Sequence, residues 1–90
     1  MAPLTESEIR ERLARVPSWE RRGSEIRRTW SFAGFEEAMA FVNRVADLAA
    51  AADHHPDIDI RYSKVTLALS THDAGGLTAR DFALAESIGA

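Results

Sequence analysis

The strongest pattern in the sequence is a helical repeat of apolar residues between positions 35 and 52. Phe41 and Leu48 widen this apolar face, as expected for a helix that lies across a sheet. The helix is predicted to end just before His55, because Pro56 disfavours helical geometry at the preceding residue. One face of a long helix must therefore be covered by the rest of the chain. The residues at helical spacing on that face are Phe35, Ala38, Met39, Val42, Val45, Ala46 and Ala49.

Alternation of apolar and polar residues on both sides of this helix predicts strands. Arg28 is the one charged residue on the apolar side of its strand. Gly23-Ser24 is predicted as the turn of a first hairpin, and Ser63-Lys64 as the turn of a second. The segments predicted as strands are 19–22, 26–32, 57–62 and 65–70.

Two further helices are predicted from capping signals at their starts. Thr5 and Glu8 form a capping box before a short helix, and Thr78 with Asp81 can cap a final one. The order α-β-β-α-β-β-α predicts an α+β fold, a four-stranded antiparallel sheet with three helices on one face. Ninety residues, of which 46% are hydrophobic, suffice for one core. Residues 1–90 are therefore predicted to be a single domain.

Composition and charge exclude several classes of function. The absence of Cys rules out disulfides, Cys-based zinc sites and thiol nucleophiles. A net charge of −3 disfavours direct nucleic-acid binding, because phosphate-tracking surfaces are normally basic. Charged residues recur too often for a membrane span, and no signal-type leader opens the chain, so a cytoplasmic location is predicted. Small size and open sheet edges predict a homodimer or homotetramer.

The three histidines, His54, His55 and His72, lie close together in the sequence. If its strand stays regular, His72 points away from the apolar face, although a solvated strand-end histidine explains the pattern equally well. Adjacent residues on a helix diverge by about 100°, so the first two histidines serve one site best in the irregular loop that Pro56 provides. Solvated histidines at a helix C-terminus are the alternative interpretation.

Asp81 lies in the middle of the apolar face of the final helix. Burying an isolated carboxylate costs on the order of several kcal/mol, so this side chain needs a partner. It can cap the helix beside Thr78, or it can hold an imidazole in one orientation. Three histidines and a carboxylate, with the dipeptide His72-Asp73, also raise the possibility of a zinc or iron site. The adjacency of the histidine pair and the absence of HxxxH or HxH spacing disfavour it, so no metal site is predicted.

Several runs of the sequence, taken in order, resemble the pterin-4a-carbinolamine dehydratases. That family has a His-His-Pro element, a strand hairpin and then Thr-His-Asp-x-Gly-Gly-Leu-Thr-x-x-Asp at the start of the last helix. The similarity is dense from Asp53 to Ile88 and continues more weakly upstream, and it implies the same α+β fold. The matching runs are Asp53-His54-His55-Pro56-Asp57, Tyr62-Ser63-Lys64-Val65 and Thr71-His72-Asp73-Ala74-Gly75-Gly76-Leu77-Thr78-Ala79-Arg80-Asp81.

The resemblance implies removal of water from 4a-hydroxytetrahydropterin to give quinonoid dihydropterin, after the action of an aromatic amino acid hydroxylase. This reaction needs a proton donor for the leaving oxygen and a base for a ring N–H, and histidine with a free pKa of about 6.5 can be either. By resemblance, His54 and His72 are the catalytic acid and base, and Asp81 orients a histidine. His55 and Asp73 bind the pterin. No cofactor is implied, because the pterin is the substrate.

Two positions depart from the family's pattern. Ala50 stands where the family usually has an acidic residue, four positions before the first histidine of the pair, so Asp53 or Asp47 would have to supply that charge. Ile58 stands where many members carry an aromatic residue, which bears on packing around the site. The alternative function is a non-catalytic oligomeric adaptor or assembly factor on the same fold, because some relatives act in this way.

Overall fold

The computed structural model describes residues 2–90, and within them the chain forms the predicted α-β-β-α-β-β-α order. The helices are α1 (Glu6–Leu13), α2 (Phe35–Ala52) and α3 (Ala79–Ile88). The strands are β1 (Glu20–Arg22), β2 (Glu25–Ser31), β3 (Asp57–Arg61) and β4 (Lys64–Leu69), and residues His72–Ala74 form a short 3-10 helix. The predicted α+β fold is confirmed. Over residues 2–90, no helix combines the length and apolar character that a bilayer crossing requires.

The four strands form one antiparallel sheet in the order β1-β2-β4-β3. The register pairs Ile26 with Leu69 and Ile58 with Leu67, so that the apolar residues of three strands share one face. β3 lies at the edge of the sheet, where Ile58 and Ile60 are each 37% exposed. The edge position explains why the alternating pattern of β3 does not lead to full burial. The predicted homodimer or homotetramer stays a prediction.

Helix α2 has the bounds that its apolar period predicts, and it packs over the centre of the sheet. Its first residue, Phe35, remains 49% exposed although it lies on the predicted apolar face. Two residues outside regular elements, Val16 and Trp19, are also part of the core. The buried residues of α2 and of the central strands are Ala38, Phe41, Val42, Val45, Ala49, Ile26, Val65, Leu67, Ala68 and Leu69.

Arg28, the charged residue on the apolar side of β2, is accommodated by two contacts. Its guanidinium lies 4.4 Å from the centre of the Trp30 ring, and its Nη1 donates to the carbonyl of Gly89 at 2.8 Å. Nε1 of Trp19 donates to the same carbonyl at 2.7 Å. Cation–π stacking and this shared acceptor explain how a cation interrupts an apolar face, and they tie the end of α3 to the sheet.

The second hairpin turns one residue earlier than predicted. Arg61 pairs with Lys64, so the turn is Tyr62-Ser63 and not Ser63-Lys64. Tyr62 adopts the left-handed region at φ 54°, a conformation more typical of glycine or asparagine in such turns. It therefore leaves the strand, and its side chain is 72% exposed.

The predicted capping box of α1 is confirmed, and a second contact ties this helix to β1. The N–H of Thr5 donates to Glu8 Oε1 at 2.8 Å, and the N–H of Glu8 donates to Thr5 Oγ1 at 3.2 Å. Arg21 binds Glu6 through both terminal nitrogens, at 2.5 and 2.8 Å. The hydrogen bond from Arg21 lowers the pKa of Glu6, and the backbone hydrogen bond from Thr5 lowers the pKa of Glu8.

These lowered pKa values predict a loss of stability in acid. A carboxylate whose pKa is lower in the folded state stabilises the fold above its unfolded pKa, about 4.3 for Glu, and this contribution disappears as the pH falls through the folded value. We expect the difference in unfolding free energy between the wild-type protein and Glu6→Gln to shrink between pH 7 and pH 3, as measured by urea denaturation. A difference that is constant over this range would contradict the assignment.

Candidate functional site

Helix α2 ends in a chain reversal that presents two histidines in succession. Asp53 adopts the left-handed conformation, with φ 51° and ψ 44°. The N–H of His54 donates to the carbonyl of Ala49 at 3.1 Å, and the N–H of Asp53 donates to that of Ala50 at 3.2 Å. These are the two hydrogen bonds of a Schellman motif, in which glycine usually takes the left-handed position. His54 follows the reversal directly and is buried, whereas His55 is exposed.

The imidazole of His54 forms a hydrogen bond with the buried carboxylate of Asp81. Nε2 of His54 lies 2.5 Å from Oδ1 of Asp81, and the two side chains are 9% and 0% exposed. The other carboxylate oxygen, Oδ2, accepts from the hydroxyl of Thr71 at 2.8 Å and from the backbone N–H of Thr78 at 2.9 Å. Asp81 therefore caps α3 and contacts an imidazole at the same time, so both interpretations of this residue describe its contacts.

The hydrogen bonds around Asp81 determine which nitrogen of His54 carries a proton. A carboxylate that accepts from Thr71 and Thr78 offers only acceptor atoms to His54, so Nε2 must be the donor. Nδ1 is then the nitrogen that has the lone pair in the neutral ring. Within residues 2–90, this contact from Nε2 is the one hydrogen bond of the His54 ring.

His72 lies in the short 3-10 helix and not in a continued strand. β4 ends at Leu69, and an isolated bridge between Thr71 and Gly76 closes the loop that follows. The assumption of a regular strand up to His72 is therefore wrong. His72 and the next residue, Asp73, are nevertheless exposed, so the expectation that His72 lies off the apolar face holds.

The three histidines surround one cleft of about 210 Å³. We call this the histidine cleft. It is lined by every predicted site residue except Asp81, which is buried and hydrogen-bonded to His54. Three larger depressions, beside Trp30, Arg27 and Arg21, contain no histidine, and a smaller one of about 170 Å³ shares His54 and Arg80 with the histidine cleft. Within residues 2–90, no three His, Cys, Asp or Glu side chains are arranged to hold a metal ion. The lining residues of the histidine cleft are Asp53, His54, His55, Ser70, Thr71, His72, Asp73 and Arg80.

Thr71 is a site residue that the sequence interpretation did not assign. It is 3% exposed, and its hydroxyl contacts both Asp81 and the hydroxyl of Thr78, each at 2.8 Å. A signal was present, because Thr71 has the same strand parity as the buried residues Leu67 and Leu69. A polar residue on an apolar face needs a buried partner, although this requirement alone does not identify Asp81 as that partner.

Arg80 is a further cleft residue without an assigned role, and it contacts Asp53, which was considered only as a replacement for the missing charge at Ala50. Nη2 of Arg80 donates to the backbone carbonyl of Asp53. Sequence spacing gives no signal for this contact, which joins two elements far apart in the chain. Of the two acidic residues considered as replacements for the one absent at Ala50, Asp53 lines the histidine cleft and Asp47 does not.

Comparison with known sequences identifies close relatives. The family model described as pterin 4 alpha carbinolamine dehydratase matches residues 2–90. A protein of Acidobacterium capsulatum is 60% identical over 88 residues, which are 98% of this chain and 96% of that protein. A protein of Chloroflexus aurantiacus is also 60% identical over 88 residues, 98% of this chain and 95% of that protein. Both are provisionally named pterin-4-alpha-carbinolamine dehydratase.

Two solved structures resemble this chain in fold. A structure from Brucella melitensis, titled a transcriptional coactivator/pterin dehydratase, has a TM-score of 0.90 and 33% identity, covering 96% of this chain and 94% of its own. A pterin dehydratase-like protein identified as a RuBisCO assembly factor of the alpha-carboxysome has a TM-score of 0.63. It is 18% identical over 78% of this chain and 81% of its own, and it shows the shared fold alone. From the family model and the close relatives together, the chain belongs to the pterin-4-alpha-carbinolamine dehydratase family.

Proposed function

We propose that this protein is a dehydratase that removes water from 4a-hydroxytetrahydropterin to give quinonoid dihydropterin. Its physiological place would be the recycling of a tetrahydropterin after an aromatic amino acid hydroxylase, in the cytoplasm. The observation that supports this proposal most strongly is the convergence of three imidazoles on one cleft, one of them bonded to a buried carboxylate.

The proposed reaction consists of two proton transfers around one bond cleavage. The C4a–O bond breaks with its electron pair on oxygen, and a protonated imidazole gives that oxygen the proton that makes it water. A neutral imidazole takes the proton of the adjacent ring N–H, and the electron pair of that N–H bond forms the new C=N bond. His54 and His72 are the proposed acid and base, in either order, because both residues line the histidine cleft. No cofactor is needed in this scheme.

The contacts of His54 support a role in proton transfer. An imidazole whose second nitrogen donates to a carboxylate is held in one tautomer and one orientation. In this site the orienting carboxylate is Asp81, which Thr71 and Thr78 hold in turn. His72 is exposed, so it can exchange protons with water between turnovers.

His55 and Asp73 are proposed to bind the pterin. Both side chains are exposed at the histidine cleft, and a carboxylate can accept from the amino and ring N–H groups of a pterin. We expect His55→Ala to raise KM by about tenfold, which corresponds to about 1.4 kcal/mol of lost binding, with a smaller effect on kcat. Initial rates at varied pterin concentration measure this. A fall in kcat at unchanged KM would instead place His55 in the proton transfers.

The second candidate function is a non-catalytic oligomeric adaptor or assembly factor. Of the two structural neighbours, one is titled a transcriptional coactivator as well as a pterin dehydratase, and the other is titled a RuBisCO assembly factor. The edge strand β3, with its exposed Ile58 and Ile60, is a surface that such a role could use. This candidate does not account for the bond between His54 and Asp81 at an open cleft.

The dehydration rate separates the two candidates. Freshly generated 4a-hydroxytetrahydropterin is followed by absorbance with and without the protein, and a dehydratase accelerates its decay in proportion to protein concentration. Titration with an oxidised pterin, observed through the histidine NMR signals, tests binding to the cleft in parallel. A folded protein that leaves both the rate and these signals unchanged would favour the adaptor.

A further inference from the structure

Arg80 connects the start of α3 to the end of α2. It precedes Asp81 in the first turn of α3, and its guanidinium donates a hydrogen bond to the carbonyl of Asp53. Its side chain is half-buried and lines the histidine cleft. The proposed reaction assigns no role to this residue.

The location of Arg80 is unfavourable for its own helix and favourable for the neighbouring one. A cation in the first turn of a helix opposes the helix dipole, whereas a cation at the last carbonyls complements it. The last turn of α2 contains no basic residue. Arg80 therefore supplies, from α3, the positive charge that the C-terminal end of α2 lacks.

The carbonyl that Arg80 binds belongs to the peptide group between Asp53 and His54. The N–H of this peptide group donates to the carbonyl of Ala49 at 3.1 Å. The peptide group is thus held at both ends: its N–H donates to α2, and its carbonyl oxygen accepts from Arg80. This peptide group follows Asp53, which adopts the left-handed conformation. Residues other than glycine adopt that conformation rarely, so contacts that hold the peptide group in place help to maintain it.

Consecutive residues of α3 therefore hold His54 at two points. Asp81 binds the ring at Nε2, and Arg80 binds the backbone that leads into the same residue. We propose that Arg80 is a positioning residue, which keeps the His54 peptide in place so that Nε2 of the ring reaches Asp81 and Nδ1 is left for the proposed proton transfer. The catalytic consequence rests on the proposed dehydratase function, whereas the effect on the His54 ring does not.

The test compares Arg80→Gln with Arg80→Lys, and it uses Arg15→Gln as a matched control. Arg15 is an exposed residue of the segment after α1, and its salt bridge is an exposed i,i+4 pair with Glu11, so its variant removes a charge that does not line the histidine cleft. Misplacement of a catalytic group by about 1 Å can cost about 10²-fold, so we expect Arg80→Gln to lower kcat about tenfold or more. Arg80→Lys retains the charge and is expected to stay within about threefold of the wild-type kcat. Thermal unfolding verifies that each variant is folded.

The second readout is the NMR signal of the proton on Nε2 of His54. We expect this signal to shift or broaden in Arg80→Gln and to be unchanged in Arg15→Gln. A folded Arg80→Gln with wild-type kcat and an unchanged signal would overturn the proposal. A raised KM at unchanged kcat would also overturn it, because Arg80 would then contact the pterin. If the wild-type protein does not accelerate dehydration, the proposed function fails, and the His54 signal alone decides whether Arg80 positions the ring.

Discussion

Asp81→Asn is expected to lower kcat by about 10²- to 10⁴-fold, because the substitution reverses the tautomer of His54. The amide oxygen can accept from Thr71 and Thr78 only if its NH₂ group faces Nε2 of His54. That nitrogen must then accept a hydrogen bond, and the proton of the neutral ring moves to Nδ1. Proton transfer at Nδ1 is then disfavoured in either proposed role of His54. As a base, Nδ1 has no lone pair in the neutral ring, and as an acid, its loss of a proton would leave Nε2–H facing the NH₂ group.

The opposite orientation of the amide is also costly. It would point NH₂ at the backbone N–H of Thr78 and leave a buried donor unpaired, at a cost of about 1–3 kcal/mol. Nitrogen-15 spectra of the imidazoles identify the protonated nitrogen of His54 in the wild-type protein and in Asp81→Asn. Asp47→Asn, which changes an exposed carboxylate of α2, is the control for the loss of charge. A folded Asp81→Asn with wild-type kcat would show that the tautomer of His54 does not matter.

His72→Ala is expected to lower kcat by about 10²-fold or more while leaving stability almost unchanged. The activity loss is the usual contribution of a general acid or base. Because His72 is exposed, its removal should change the free energy of unfolding by less than about 0.5 kcal/mol.

His54→Ala gives the informative contrast to His72→Ala. It should reduce kcat to a similar extent, but it removes the partner of a buried carboxylate and should destabilise the fold by about 3 kcal/mol or more. Urea denaturation and initial rates for the two variants test both parts. If His72→Ala unfolds the protein, or if it leaves kcat unchanged, the catalytic role of His72 is wrong.

The elements that the sequence predicts best are those with a long and regular pattern. The bounds of α2 follow from its apolar period and from Pro56, and both capping boxes follow from residue types at fixed spacing. The turn of the second hairpin was displaced by one residue, because Tyr62 takes a left-handed conformation that its residue type does not announce. The exposure of Ile58 depends on strand order, and a local pattern carries no information on which strand lies at the edge of the sheet.

The candidate site shows the same division between local and long-range information. The apolar surroundings of Asp81 in the last helix predict that its carboxylate has a partner, but not that the partner is His54. The chain reversal at Asp53 combines local hydrogen bonds to Ala49 and Ala50 with a tertiary one from Arg80, and the sequence carries no signal for the tertiary one. The expectation that all three histidines share one site rests on the resemblance to the family. The strand argument for His72 does not support it, because that argument assumed a regular strand, whereas β4 ends at Leu69 and an isolated bridge at Thr71 follows.

The most direct test of the central claim is the decay of freshly generated 4a-hydroxytetrahydropterin, followed by absorbance with wild-type protein, with His72→Ala and with Arg15→Gln side by side. We predict a clear acceleration by the wild-type protein and by Arg15→Gln, and a rate close to the uncatalysed one with His72→Ala. A folded wild-type protein that leaves the decay at the uncatalysed rate would contradict the account, and the histidine cleft would then not be a dehydratase site.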